Sequence, residues 1–426
     1  MLTLKPALTL PSVGLTGFET PLTAEESAIQ HSAHQFAKTV LRPLGRELDK
    51  MSAADACAPG SPFWEVYQEA AKLGLDPSLY AQFEPDVAIR LESLVGEELG
   101  WGDAGLGISL AAASFPMVMA QSVGNQELID LCTGKIGCWL ITQPDRGSDA
   151  ICLHEEELPS GGHTNKGNVT ARVVGDEIII NGQCSAWVSN GAVAQVALCY
   201  IAADYGDGYI GENGLANGLA VIVPLDLPGV TRGKPLEKIG QRSLPQGEIF
   251  FDNVRVPKRF AVALKDEYYG NLNATWSFAG SHMCQVFTGV ARSAFELALA
   301  YAHERKQGGA LLADHQLTRW RLGDMARRVE MARAVARRGL AYARLSPSTH
   351  GYATAQCKVS VTEEAMKVVH EAFQMFGANG TTREYPIEKI FRDTRSALIE
   401  DGENYVLTMR LGMLVSKLYQ DGWTKT

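Results

Sequence analysis

The sequence predicts an α+β multidomain chain: a helical N-terminal domain (1–135), a small all-β middle domain (136–262) and a helical bundle at the C-terminus (263–426). Three observations predict it. Apolar residues recur at three- and four-residue spacing towards both ends, and a β-rich texture with turn signals interrupts that period in the middle. The length of 426 residues also exceeds what one core of ordinary size encloses, so two or three domains are expected.

The first helix opens at Pro21-Leu-Thr-Ala-Glu-Glu26, where Thr23 followed by Glu26 makes a capping box. Ile29, Ala33, Phe36 and Val40 then share one helical face. Phe63 to Leu73 and Ile89 to Leu99 are further helical runs, with Gly74 and Gly100 as the expected C-caps. In the middle, Asn168 to Val174 and Glu177 to Gly182 flank the turn pair Gly175-Asp176, a hairpin signal. Ala194 to Ala202, Leu219 to Val223 and Glu248 to Phe251 are also β-rich, and Gly-rich stretches near 158–167 and 204–218 predict surface loops. Nearer the C-terminus, Leu322, Met325, Val329, Ala332 and Ala336 form one stripe, and Val361, Ala365, Val368, Ala372 and Met375 form another. Long helices with narrow stripes predict a bundle.

Hydrophobic residues make up 46% of the chain and charged residues 20%, as in an ordinary globular protein. The net charge of −9 argues against nucleic acid as the main partner, since phosphate neutralisation needs clustered Lys and Arg. It leaves room for a small phosphorylated ligand at a local positive site. No apolar run of about 18 residues is expected, hence no membrane span. Met1 to Leu15, with one Lys and two prolines, reads as a surface arm rather than a signal peptide. The eight cysteines are scattered without a C-x-x-C pair, so free thiols in a reducing cytoplasm are expected and no metal site is.

Five segments, in order, carry a resemblance. They are Trp139-Leu-Ile-Thr-Gln-Pro-Asp-Arg-Gly-Ser-Asp149; Ala186-Trp-Val-Ser-Asn-Gly191; Phe250-Phe-Asp-Asn-Val-Arg-Val-Pro257; Glu304-Arg-Lys-Gln-Gly308 with His315-Gln316; and Gln374-Met-Phe-Gly-Ala-Asn-Gly380 with Tyr385-Pro-Ile-Glu-Lys-Ile-Phe-Arg-Asp393. Together they resemble the acyl-CoA dehydrogenases. The resemblance implies a small β-barrel-like middle domain, a C-terminal four-helix bundle, bound FAD and an acyl-CoA substrate. It also implies an electron-accepting flavoprotein as partner, a homodimer or homotetramer, and a role in lipid or acid catabolism.

A flavin needs an apolar wall, polar groups at its ring edge and donors for its pyrophosphate. Trp139 and Ile141 suit the wall, Thr142 the edge, and Ser148 follows Gly147, where backbone can approach closely. Trp187 and Ser189 repeat the arrangement from a second strand. The resemblance implies isoalloxazine contacts at these positions, while two buried tryptophans of a β core are the plain alternative. It further implies that Arg305, Gln307, His315 and Gln316, on a helical hairpin, reach the FAD of a neighbouring subunit. Gln374, Gly377, Ala378 and Gly380 would receive the adenosine pyrophosphate end, and an Arg fork suits that group. Ser148 and Gly402 are implied substrate contacts, and Glu403 a flavin contact.

The region of the catalytic base departs from the family. Typical members place a Glu sixteen residues after the Tyr of Tyr-Pro-x-Glu-Lys, in a Tyr-Glu-Gly-Thr context. That position here is Asp401, within Ile399-Glu-Asp-Gly-Glu-Asn404, so the carboxylate is one methylene shorter and Glu400 takes the Tyr position. Glu403 replaces the Thr, which puts its flavin contact in question. The alternative base position used by some members is Ala279, followed by Gly280, and the usual aromatic is absent at Gly308. Asp401 is the expected base and Glu400 its rival; flanking acids would raise the pKa if close in space. An acidic cluster capping a helix is the competing reading. At the level of function, nitroalkane oxidation, desulfination or a non-catalytic subunit of a hetero-oligomer stand as alternatives to dehydrogenation.

Overall fold

The computed structural model describes residues 21–74, 80, 83–149, 166–212, 214–345 and 351–420. The expected arm at Met1 to Leu15, the loop over 158–165 and Cys152 lie outside the described residues.

Helix α1 (Ala24–Phe36) begins as the capping box dictates: Thr23 Oγ1 accepts from the Glu26 N–H at 3.2 Å, and the Glu26 carboxylate accepts from the Thr23 N–H at 2.7 Å. Its stripe buries Ala33 and Phe36. After α2 (Arg42–Leu48) and α3 (Ala53–Cys57), α4 (Pro62–Lys72) has Pro in its first turn and Gly74 beyond its end at φ 62°.

Two expectations need correcting here. Helix α5 (Pro85–Gly102) does not end at Gly100; that glycine lies inside it. A Cβ there would run into the carbonyl oxygen of Val286, so the residue is glycine for helix–helix approach rather than for capping. Helix α6 (Ala104–Ser122) is a 19-residue run without a charged side chain, long and apolar enough to cross a membrane. It is 56% buried inside the protein, packs on the sheet below and is N-capped by Asp103, as a core helix would be. A seventh helix, α7 (Gln126–Cys132), leads into the sheet.

The middle region is one eight-stranded sheet: β1 (Gly137–Leu140), β2 (Thr170–Val174), β3 (Glu177–Gln183), β4 (Val196–Asp204), β5 (Gly218–Pro224), β6 (Val230–Arg232), β7 (Ile249–Pro257) and β8 (Ala261–Ala263). Its order is β6-β7-β3-β2-β4-β5-β8, with β1 on β4. The β2–β3 hairpin turns at Gly175-Asp176, Val174 facing Glu177 and Gly175 at φ 57°. One edge of β4 is shared end to end: β1 pairs parallel with its first half (Trp139 opposite Leu198), β2 with its last residues. This places Trp139 at the centre of the sheet.

The C-terminal part packs α8 (Tyr268–Glu304), α9 (Gln316–Leu345), α10 (Gly351–Phe376) and α12 (Asn404–Gln420) as a bundle, with α11 (Ile387–Ser396) on its side. Both predicted stripes are inside, from Met325 to Ala336 on α9 and from Val361 to Met375 on α10. The 305–316 connection is a small β-ribbon rather than a helical hairpin. Lys306–Gln307 pairs with Ala310–Leu311 across Gly308-Gly309, at φ 60° and 82°. Positive φ at both turn positions explains why a glycine occupies position 308.

Candidate active site

Strand β1 carries Trp139, whose ring stacks on Phe115 of α6 at 5.2 Å and meets Tyr200 of β4 edge-on at 6.4 Å. Its indole Nε1 is buried and has no hydrogen-bond partner among the described residues. Ile141 and Thr142 follow just beyond the strand, and the Thr142 carbonyl accepts from the Ser185 N–H at 3.0 Å. That bond brings up the connection between β3 and β4, where Trp187 and Ser189 lie. They sit on turns rather than on the second strand expected from the sequence. Trp187 is 61% exposed, far more than a core tryptophan, and Ser189 bridges to Gln246.

The bundle closes over this surface. Trp139 and Ile141 pack on a small cluster of Trp276 (α8), Ala355 (α10) and Leu407 (α12). The Trp276 indole donates to the carbonyl oxygen of Asp401 at 3.0 Å. From the β side, Ser148 Oγ accepts the Glu403 N–H at 2.9 Å. The fold therefore brings together Trp139, Ile141, Ser148 and the 400–403 segment, as the sequence implied.

Asp401 sits at φ 51°, a left-handed backbone that a short polar residue tolerates, and Gly402 follows at φ 99°. Two interactions fix this turn from beneath. The ammonium of Lys358, fully buried on α10, donates to the Gly402 carbonyl oxygen and to Asn404 Oδ1, each at 2.8 Å. Asn404 Nδ2 in turn donates to Thr362 Oγ1 at 3.1 Å. Glu403 spends its carboxylate on capping α12, accepting from the N–H groups of Tyr405 and Val406 at 2.9 and 3.1 Å.

The two adjacent carboxylates face different surroundings. Burial pushes the Asp401 carboxyl up to about 6, with the Lys358 ammonium pulling back, and among the described residues no hydrogen bond is made to its oxygens. Glu400 is pushed up to about 7 by burial, against a hydrogen bond in which Gln241 Nε2 donates to it at 3.1 Å; the neighbouring Asp401 charge adds to the rise. Gln241, itself left-handed at φ 48°, is held by Asp393, which pairs with Lys389. Lys389 also binds Asp103, and Ser243 completes that knot, so segments from all three regions converge behind Glu400. Burial lowers Lys358 to about 8 while Asp401 and Glu400 pull it upwards. Two acids with raised pKa and one depressed lysine around one turn suit acid–base chemistry.

Lys358, Trp276 and Gln241 escaped the sequence reading. Lys358 did leave a signal, since it occupies a stripe position three residues before the buried Val361.

The other implied cofactor residues gather elsewhere. Arg305, Gln307 and Gln316 are exposed around the β-ribbon, and His315 Nε2 donates to the Gln307 carbonyl oxygen at 2.8 Å. The exposed Gln374, Gly377 and Ala378 lie at the same end, because Asn379 donates to the Tyr301 hydroxyl at 2.9 Å and Tyr301 stacks on Phe376 at 4.1 Å.

The acyl-CoA dehydrogenase middle-domain model matches residues 138–254, and the C-terminal-domain model of the same family matches residues 273–415. A probable acyl-CoA dehydrogenase of Bacillus subtilis is 29% identical over 92% of this chain and 97% of its own length. A 3-sulfinopropanoyl-CoA desulfinase of Paraburkholderia xenovorans is 31% identical over 64% of this chain and 68% of its own. The chain belongs to the acyl-CoA dehydrogenase family. The crystal structure of glutaryl-CoA dehydrogenase from Mycobacterium smegmatis has the same fold, with a TM-score of 0.77 over 95% of this chain and 98% of that one, at 24% identity. As a member of this family the protein is an FAD-dependent oxidoreductase. Its residues fit the flavin: the orphaned Trp139 indole N–H and the exposed Trp187 face lie beside Ile141 and Thr142, a wall and a ring-edge donor set in one place.

Proposed function

We propose that this acyl-CoA dehydrogenase family member oxidises an acyl-CoA thioester to the α,β-enoyl thioester, with Asp401 removing the α-proton. The observation that carries the reading is the placement of Asp401, on a turn tied to Trp276, Lys358 and Ser148, beside the Trp139–Ile141 wall. FAD supplies the acceptor for the two electrons that leave with the β-hydrogen. Trp139, Ile141, Thr142, Trp187 and Ser189 would hold its ring, while Ser148 and Gly402 would border the thioester. A flavin contact from Glu403 competes with bonds it already makes, since its carboxylate caps α12, its N–H goes to Ser148 and its carbonyl oxygen accepts from Leu407.

Asp401 takes the proton on its carboxylate, and the nearby Lys358 ammonium favours the ionised form that can accept it. Glu400, turned towards Gln241, is poised as a neighbouring acid rather than as the base.

Along α8, Trp276 and Arg305 are about 40 Å apart at roughly 1.5 Å per residue, further than an extended FAD reaches. Arg305, Gln307, His315 and Gln316, with Gln374, Gly377 and Ala378, would therefore serve the adenosine end of FAD bound to a second copy. A homodimer or a dimer of dimers follows, with an electron-accepting flavoprotein to reoxidise it.

The desulfinase relative favours a second reading, in which the chemistry is removal of a sulfino group from an acyl-CoA rather than dehydrogenation. Anaerobic titration with a panel of acyl-CoAs tests the first reading: bleaching of the oxidised flavin supports it. A panel that leaves the flavin oxidised throughout overturns it.

A further inference from the structure

Gln241 is 1% exposed and stands at φ 48°, a left-handed backbone that favours glycine, on the connection between β6 and β7. That connection is pressed onto α11: a Cβ at the preceding Gly240 would meet the Arg392 carbonyl oxygen at 2.3 Å. Asp393 of α11 fixes the conformation, its Oδ1 accepting the Gln241 N–H at 2.5 Å while its Oδ2 accepts from Lys389 at 2.6 Å. Lys389 reaches on to Asp103, the N-cap of α6. The side-chain amide of Gln241 then gives its Nε2 to two acceptors, Glu400 Oε2 at 3.1 Å and the Asp393 carbonyl oxygen at 3.2 Å. These acceptors set which way round the amide lies, and its Oε1 is left buried with no hydrogen-bond partner among the described residues. A strained backbone and an orphaned oxygen in one residue mark it as more than packing.

Glu400 has no other anchor. Among the described residues its carboxylate accepts this one hydrogen bond. The two ammonium groups that attract it by charge place their donors elsewhere: Lys238 on the Leu244 carbonyl oxygen and Gln246 Oε1, Lys358 on Gly402 and Asn404.

We propose that Gln241 is a positioning residue of the reaction, which selects Asp401 over Glu400 as the base by holding the Glu400 carboxylate against the β6–β7 connection. This rests on the reading of Asp401 as the base. The two acids are successive residues of one turn, burial raises both carboxyls, and Glu400 is one methylene longer. Basicity and reach therefore leave either competent. The amide decides between them, because it offers Glu400 a donor and Asp401 none.

The test is the anaerobic rate at which an acyl-CoA reduces the flavin of the Asp401→Asn holoenzyme, with and without Gln241→Met. Methionine keeps the length of the side chain and the backbone N–H to Asp393, but it has no donor for Glu400. Glu400, once released, takes the α-proton, and the rate rises about tenfold or more above that of Asp401→Asn alone, part of what a positioned base contributes. Gln241→Leu gives the same rise, and adding Glu400→Gln cancels it. No rise in either variant, or a rise that survives Glu400→Gln, overturns the inference. Loss of bound flavin in both variants does so too, since Gln241 would then be a structural tie. A slow Asp401→Asn without rescue leaves Asp401 standing as the base and removes only the role of Gln241. An Asp401→Asn as fast as the parent, or a parent whose flavin no acyl-CoA reduces, fails the base assignment and the selection with it.

Discussion

The ammonium of Lys358 and the carbonyl oxygen of Gly402 are 2.8 Å apart and hydrogen-bonded, so α10 anchors the turn on which Asp401 is displayed. A buried lysine is costly unless its donors are satisfied, and here Gly402, Asn404 and the nearby acids offset that cost. One residue thus fixes the backbone of the turn and sets the local charge.

Lys358→Met separates those two effects. It leaves the Gly402 carbonyl and Asn404 Oδ1 without their donor, which should cost about 1–3 kcal/mol in urea unfolding. Lys358 lowers the Asp401 pKa, so its loss raises it, and the acid limb of the kcat/KM profile should move to higher pH. Lower stability with an unmoved profile would show that Lys358 is only a structural tie.

The pH dependence of stability gives an independent reading of Asp401. Its carboxyl, ordinarily at 3.8, is lifted to about 6 in the folded protein by burial. A carboxyl raised by folding takes up a proton on folding, so its contribution is favourable below the unfolded value and is lost as pH rises through about 6. Asp401→Asn removes the penalty, and the variant should unfold at higher temperature than the parent at about pH 8, the advantage vanishing below about pH 4. Identical melting curves at both pH values would mean that Asp401 is solvated.

Arg305→Ala should weaken FAD retention by a factor of about 10 to 150, the loss of one charge-assisted contact. Flavin absorbance after exhaustive dialysis reads this out. Unchanged occupancy would make Arg305 a plain surface charge.

At Gly100 the expected outcome is structural. A methyl group there meets the Val286 carbonyl, and neither helix backbone can yield cheaply, so Gly100→Ala should lose about 3 kcal/mol or more in chemical denaturation. Gly74→Ala meets no atom of the described residues within 4 Å and should cost only about 1 kcal/mol, from its positive φ.

That contrast marks where the sequence was legible. Local signals read correctly: Thr23 with Glu26, the Gly175-Asp176 turn and the stripes of α9 and α10 all depend on near neighbours. Gly100 misled because a glycine near a helix end has two uses, and only the position of Val286 decides between them. Within the site, Asp401 and Glu400 were visible by their place after Tyr385, yet their different surroundings were not. Gln241 and Lys358 reach them from sequence positions far away, and Gln241 does so from a backbone conformation that its residue type does not announce. The β-ribbon after Arg305 was missed because two-residue strands carry no alternation to detect.

The most direct measurement is the anaerobic rate at which an acyl-CoA reduces the flavin of Asp401→Asn, set beside Glu400→Gln. Asp401→Asn should retain flavin and fold yet be slower by on the order of 10²-fold or more, since an amide accepts no proton, while Glu400→Gln should lose far less. Reduction of Asp401→Asn at the parental rate, or a larger loss in Glu400→Gln, would contradict the assignment of Asp401 as the base.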